Sequence, residues 1–222
     1  MISQERRIAI EKATVTTLSE SGNGQGVYVG KNMILTAAHC FPFDSSGGIV
    51  LGDGTVLEVA TSSGQQLKAS LLFIDPVSDL AVLGPCDEQD MSDEYDRYVE
   101  WCEKTKPVDL RTQAIPPINF RVDSKPTLWP CYIRLHTGTW IAGSISRWGE
   151  PPWMSLEADE HVPGGTSGGP IVDESGMLLG VVSNAGGDED FSTRGSVAIP
   201  QLSLPVWIAD AVIANPSNHA TL

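Results

Sequence analysis

Apolar residues in this chain fall mostly in short runs separated by clusters of glycine, proline, asparagine and aspartate, the pattern of strands between turns. Ala13 to Leu18 is rich in β-branched residues, and Gly22-Asn23-Gly24 predicts a turn after it. Val27–Val29 and Met33–Thr36 flank Gly30-Lys31-Asn32, which predicts a hairpin. Ile49–Leu51 and Val56–Val59 bracket Gly52-Asp53-Gly54 and predict another, and Leu67–Ile74 and Leu80–Leu83 complete a first run of strands. A second run comprises Cys131–Leu135, Trp140–Ile145, Met154–Leu156, Ile171–Val172, Met177–Val182 and Ser196–Ile199. Two runs of antiparallel strands with few helices make this an all-β chain, built as two barrels or as a sandwich.

The period changes between Pro85 and Pro117. Tyr95, Tyr98, Val99 and Cys102 fall at i, i+3, i+4 and i+7, one face of a helix. Ser92 is the expected N-cap, acidic residues fill the first turn, Lys104 and Lys106 lie near the end, and Pro107 stops it. The acidic start of this segment reads either as a solvated face or as a docking surface for a basic partner. A second helix is expected near the C-terminus, with Pro205 in its first turn, an apolar stripe of Leu204, Trp207, Ile208, Ala211 and Val212, and Asn215-Pro216 as its end. It is expected to close the second strand unit. The chain thus divides into 1–84, a helix-bearing connector 85–117, and 118–222. Ser217 to Leu222 reads as a frayed end or as the start of a linker to a further domain.

Charge narrows the function. The 222 residues carry 28 acidic against 14 basic side chains, a net charge of -14. Binding a phosphate backbone needs a basic footprint, and anionic lipid surfaces repel such a chain, so no nucleic-acid or membrane partner is expected. No stretch approaches the roughly 18 apolar residues of a membrane span. Arg6 and Arg7 are followed by Glu11 and Lys12, where a signal peptide would carry its apolar core. A cytoplasmic location with reduced thiols is therefore expected for the 4 cysteines, a Cys86–Cys102 bridge around the connector helix being the alternative. With no Cys-x-x-Cys or paired-histidine spacing, neither a metal nor a cofactor is expected.

Three segments carry chemistry. Acyl transfer by a serine needs a base within reach of the hydroxyl, a carboxylate to orient the base, and backbone N–H donors for the oxyanion. Ile34-Leu35-Thr36-Ala37-Ala38-His39-Cys40 is a strand that ends in small residues and a histidine. Asp79-Leu80-Ala81-Val82-Leu83 puts an acid at the mouth of an apolar strand. Pro163-Gly164-Gly165-Thr166-Ser167-Gly168-Gly169-Pro170 surrounds a serine with glycines, so that successive N–H groups can converge on one oxygen.

In order and wording, Thr-Ala-Ala-His-Cys, Asp-Leu-Ala-Val-Leu and Ser-Gly-Gly-Pro resemble the chymotrypsin/trypsin-like serine proteases over roughly residues 13 to 210. The resemblance implies two antiparallel six-stranded β-barrels with the site in the cleft between them. It implies His39 as general base and then acid, Asp79 as its orienting carboxylate and Ser167 as nucleophile. Gly165 and Ser167 would give the oxyanion N–H groups, and Ser183, Asn184 and Ala185 would lie beside the buried aspartate and the substrate backbone. Zymogen-type members place an aspartate before the nucleophile to receive a new N-terminus; here that residue is Thr166, and no Ile-Val-Gly-Gly occurs. In this respect, and in Val197-Ala198-Ile199-Pro200, the chain is similar to the bacterial and housekeeping members. The cysteine that pairs with Cys40 in secreted members has its counterpart around Gly24, leaving Cys40 a free thiol.

The same resemblance puts His161 and Val162 at the base of the specificity pocket and Gly195 on its wall. A basic P1 side chain needs an acid there, so cleavage after Arg or Lys is not expected. Either His161 donates to a polar P1 group, or it turns outward and Val162 shapes a small apolar pocket. The acidic loop Gly186-Gly187-Asp188-Glu189-Asp190 would favour basic residues around the scissile bond. His136 and His219 have no constellation around them and read as surface or structural residues. The expected partner is a protein or peptide substrate, with room for a regulatory partner.

Two other functions fit parts of the pattern. A catalytically silent protein-binding module would need none of the triad. A non-peptide acyl hydrolase is matched formally by Gly165-x-Ser167-x-Gly169, but that fold expects serine before acid and histidine, on a parallel sheet with several helices.

Overall fold

The computed structural model describes residues 2–19, 22–41, 50–51, 55–111, 128–146, 153–185 and 194–213. In its first half the strands are β1 (Thr14–Ser19), β2 (Gly22–Gly30), β3 (Met33–Thr36), β4 (Val50–Leu51), β5 (Val56–Thr61), β6 (Gln66–Asp75) and β7 (Leu80–Gly84). Strands β5-β1-β2-β3-β7-β6 pair in that order and close on themselves, with β4 added along β6. The second half contributes β8 (Trp129–Arg134), β9 (Trp140–Ser146), β10 (Trp153–Ala158), β11 (Pro170–Val172), β12 (Leu178–Ala185) and β13 (Arg194–Ala198), which form a second closed barrel. All strand pairs are antiparallel, and both barrels have six strands, as the resemblance implied.

The β2–β3 hairpin turns at Lys31 and Asn32, whose φ of 52° and 57° are the paired left-handed residues of a type I′ turn. Two expected turns fare differently. Gly22 to Gly24 lie inside β2, with Gly22 already paired to Ser19. The strands flanking 52–54 do not pair with each other: β4 runs along the far end of β6, while β5 pairs with β1 and β6. Local turn chemistry named a hairpin where barrel closure needed β5 next to β1.

Helices fill the outside. α1 (Gln4–Ala13), absent from the sequence reading, is capped by Ser3, whose hydroxyl accepts from the Arg6 N–H, and it buries Ile10 and Ala13. Trp140 of β9 donates its indole N–H to Glu11 at 3.1 Å, so α1 also touches the second barrel. α2 (Ser92–Lys104) lies in the connector as expected, but its N-cap is Met91 and Ser92 is its first helical residue. Its buried face is Tyr98, Trp101 and Cys102, rotated away from Tyr95 toward a tryptophan that packs on Tyr28 at 5.4 Å. The Tyr98 hydroxyl reaches the Asn32 carbonyl at 3.1 Å. α3 (Pro200–Ser203) and α4 (Val206–Ile213) occupy the place of the single C-terminal helix. Ile208 is buried, whereas Trp207 of the expected stripe is 56% exposed. Pro116, Pro117 and Asn215 to Leu222 lie outside the described residues.

Apolar burial forms two clusters. One fills the first barrel and continues through α2 to Leu178, Val181, Ala198 and Ile208; the other fills the second barrel with Ile133, Ile145, Leu156, Leu179, Val182 and Val197. Within each of the pairs Leu178–Leu179 and Val181–Val182 the neighbours join different clusters, with the register shift against β11 setting the phase between the pairs, so both faces are covered. That is why its sequence reads as a continuous apolar run. Both barrels therefore press on one shared strand.

Tyr98 gives a stability test with two outcomes to compare. Tyr98→Ala should cost about 3–5 kcal/mol in denaturant unfolding, the range for deleting a fully buried aromatic ring. Tyr98→Phe, which removes only the bond to Asn32, should cost about 1 kcal/mol.

Candidate active site

His39 follows β3 in a short 3-10 turn, Ala38–Cys40. Ala37 and Ala38 are wholly buried, which lets this turn lie against the loop that precedes β7. That loop is templated by Asp75, whose carboxylate accepts from the Val77 N–H at 2.9 Å and the Ser78 hydroxyl at 2.5 Å. It delivers Asp79 in the left-handed region at φ 53°, a conformation that aspartate tolerates better than most residues. The Asp79 carbonyl accepts from the Ala38 N–H, and Oδ1 accepts from the His39 N–H at 2.9 Å. Oδ2 takes the imidazole Nδ1–H at 2.8 Å and the Ser183 hydroxyl at 2.5 Å. A carboxylate can only accept, so the neutral ring carries its proton on Nδ1 and leaves Nε2 free to receive one.

The hydrogen bond to Asp79 raises the His39 pKa above its ordinary value; burial opposes this and loses. Burial alone would raise Asp79, but the bonds from His39 and Ser183 and the imidazolium charge outweigh it and hold the carboxyl low. Cys40 is different. Burial first, then the charge of Asp79, pushes its thiol up to about 12, so no thiolate competes beside the histidine. A Cβ built on Gly24 would lie 2.5 Å from the Cys40 sulfur, which identifies Gly24 as the residue facing that thiol. All 4 cysteines are free and buried, Cys86 and Cys102 included.

Ser167 comes from the loop before β11. Two successive turns shape it, closed by Thr166 N–H to Pro163 O at 3.3 Å and by Gly169 N–H to Thr166 O at 2.9 Å. Gly165 (φ 84°) and Gly168 (φ 77°) each stand at the third position, where a type II turn requires positive φ. The loop is then fastened across the barrels. Ser167 O accepts from the Gln25 N–H of the first barrel at 2.7 Å, while within the second barrel Gly168 N–H donates to Val182 O at 2.7 Å.

Ser167 and His39 line one cleft of about 490 Å³ together with Gly22, Asn23, Cys40, His136, Gly164 and Gly165. Among the described residues no hydrogen bond joins the serine hydroxyl to the ring; such bonds often tighten only when substrate occupies the site. Ser183 sits behind Asp79. Asn184 and Ala185 lie on β12, with Ala185 opposite Gly195 of β13. Val162 is buried in the second barrel's core and His161 is exposed; neither lines the cleft. The loop 186–190 lies outside the described residues. His136, read as a residue without a constellation, stands in the cleft wall with Nδ1 3.4 Å from the Thr166 hydroxyl oxygen. Gln25 and Asp75 also went unnoticed, since both act on backbone groups distant in sequence. Among the described residues no group of acidic, histidine and cysteine side chains has the arrangement of a metal site.

Comparison with known proteins bears on the fold and the family. Residues 24–181 match the family model described as a trypsin-like peptidase domain, and the chain belongs to that family. A serine endoprotease from Yersinia pestis shares the fold with TM-score 0.60 and 19% identity, over 97% of this chain and 68% of that one. The active form of a protease from M. tuberculosis gives 0.57 and 18%, over 89% and 80%. A serine protease of human pathogenic astrovirus gives 0.53 and 17%, over 88% and 94%. No curated protein sequence is significantly similar to the chain.

A Cβ at Gly168 would lie 2.0 Å from the Gln25 carbonyl oxygen, whereas one at Gly164 meets nothing within 4 Å. Gly168→Ala should lower stability by at least about 2 kcal/mol in denaturant titration, and Gly164→Ala by less than about 1 kcal/mol. His39, with its pKa raised, adds stability that is complete below its ordinary value of about 6.5 and fades as pH rises through the folded value. Asp79, with its pKa lowered, adds stability that is complete above about 3.9 and fades as pH falls through the folded value. The Tm advantage of the native chain over His39→Gln should therefore be larger at about pH 5.5 than at about pH 8.

Proposed function

We propose that the chain is a serine endopeptidase working through Ser167, His39 and Asp79. The observation that carries this reading is the bond of Asp79 to His39 Nδ1, made at the wall of the same cleft that Ser167 lines. In the proposed cycle Ser167 Oγ attacks the scissile carbonyl carbon while His39 Nε2 takes the hydroxyl proton. The Gly165 and Ser167 N–H groups receive the oxyanion. Collapse of the tetrahedral species breaks the C–N bond, and His39 returns the proton to the leaving amine. Water, deprotonated by the same ring, then hydrolyses the ester. Asp79 stays ionised throughout and stabilises the imidazolium.

The substrate in this reading is a protein or peptide segment. Among the described residues that line the cleft none is acidic, which supports a preference other than Arg or Lys. A reducing, cytoplasmic site of action is proposed on the 4 cysteines, all free and buried.

A fluorophosphonate probe should label the native chain and leave Ser167→Ala unlabelled; equal labelling of the two would end the assignment. Asp79→Asn should lower kcat by about 10⁴-fold. The kcat/KM profile should climb with pH through an apparent pKa above about 6.5, because the raised imidazole must lose its proton before attack. A profile flat from acid to neutral pH contradicts the role of His39.

A further inference from the structure

Gln25 of β2 lies in the seam between the barrels and is 2% exposed. Each of its polar atoms is engaged. Its N–H donates to Ser167 O at 2.7 Å, and its carbonyl accepts from the Thr36 hydroxyl at 2.6 Å. Nε2 donates to Thr166 O at 3.3 Å and to Arg134 O at 3.4 Å, and Oε1 accepts from Arg134 Nη1 at 2.6 Å. Thus one residue of the first barrel grips two consecutive carbonyls in the nucleophile loop of the second.

The Thr166 carbonyl and the Ser167 N–H belong to a single planar trans peptide, in which the two groups point opposite ways. A donor on the carbonyl side fixes where that N–H aims. The bond from Gln25 N–H to Ser167 O fixes the next peptide plane in the same manner. The loop is shaped to admit this residue, since a Cβ at Gly168 would meet the Gln25 carbonyl and one at Gly169 would lie 2.6 Å from Nε2.

We propose that Gln25 is a positioning residue that aims the Ser167 N–H, an oxyanion donor, into the cleft. The proposal rests on the reading of Ser167 as nucleophile. Thr166, where zymogen-type members carry the aspartate that receives a new N-terminus, is fully buried. The uncharged amide of Gln25 holds the carbonyl of that same residue, and its hold needs no cleavage. The side-chain amide is the part that matters: a carboxylate would keep the partner of Arg134 but offer the Thr166 carbonyl no proton.

Gln25→Glu and Gln25→Met test this together. Both should lower kcat on a peptide substrate at least about tenfold with KM little changed, below the 10²- to 10³-fold lost with a whole oxyanion donor. Gln25→Glu should retain its Tm, since the ion pair with Arg134 replaces the lost bonds. Amide exchange gives a readout independent of turnover. The Gly168 and Gly169 N–H groups should exchange at least about tenfold faster in both variants, while β6 amides stay as protected as in the native chain. Wild-type kcat within twofold in both variants, or unchanged exchange at residues 168 and 169, overturns the proposal. So does global unfolding of both variants, which would make Gln25 a seam residue with no particular hold on the loop. A native chain that cleaves no peptide and takes no fluorophosphonate defeats the protease reading instead, and the exchange experiment still decides whether Gln25 holds the loop.

Discussion

The arrangement of the cleft depends on one carboxylate with a strained backbone. Asp79 receives donors from the Ala38 and His39 backbone, the His39 ring and the Ser183 hydroxyl. Those donors come from the end of β3 and from β12, so one residue joins the first barrel to the second. Holding a non-glycine residue at positive φ costs about 1–2 kcal/mol, and the four bonds offset that cost. A partly buried anion would otherwise be unfavourable; here every lone pair in use faces an N–H or O–H.

The residues of this site were legible in the sequence because their chemistry restricts what may surround them. His39 needs small neighbours to approach Asp79, and alanines precede it. Ser167 needs a loop with left-handed positions, and glycines supply them. Ser183 followed from the family pattern. Gln25, Asp75 and His136 left no such trace. Gln25 sits between two glycines in a strand, and nothing local says that its amide spans 141 residues to Thr166. Asp75 looks like an ordinary strand-end acid until its side chain is seen to shape the turn before Asp79. His136 gains its setting only when β8 carries it to the loop that holds Ser167.

In the fold, strand positions followed the apolar runs closely, since side-chain alternation and turn residues are local signals. Pairing did not. The glycines at 52 and 54 favoured a β4–β5 hairpin, and closure of the barrel assigned both strands to β6 instead. α1 escaped because its ten residues bury only Ile10 and Ala13, too little apolar surface to mark a face. On α2 the period was right and the phase was not. Trp101 belongs to the buried face because Tyr28 of β2 waits there, which helix spacing alone does not reveal.

β12 has a consequence for how the molecule comes apart. Leu179 and Val182 are inside the second barrel, while Leu178 and Val181 belong to the cluster that fills the first. Peeling this strand away opens the second barrel and at the same time strips Leu178 and Val181 from the first barrel's cluster, so damage to it is felt on both sides of the seam. A circular permutation or inserted domain that interrupts β12 would break the wall of the second barrel and remove outer packing from the first.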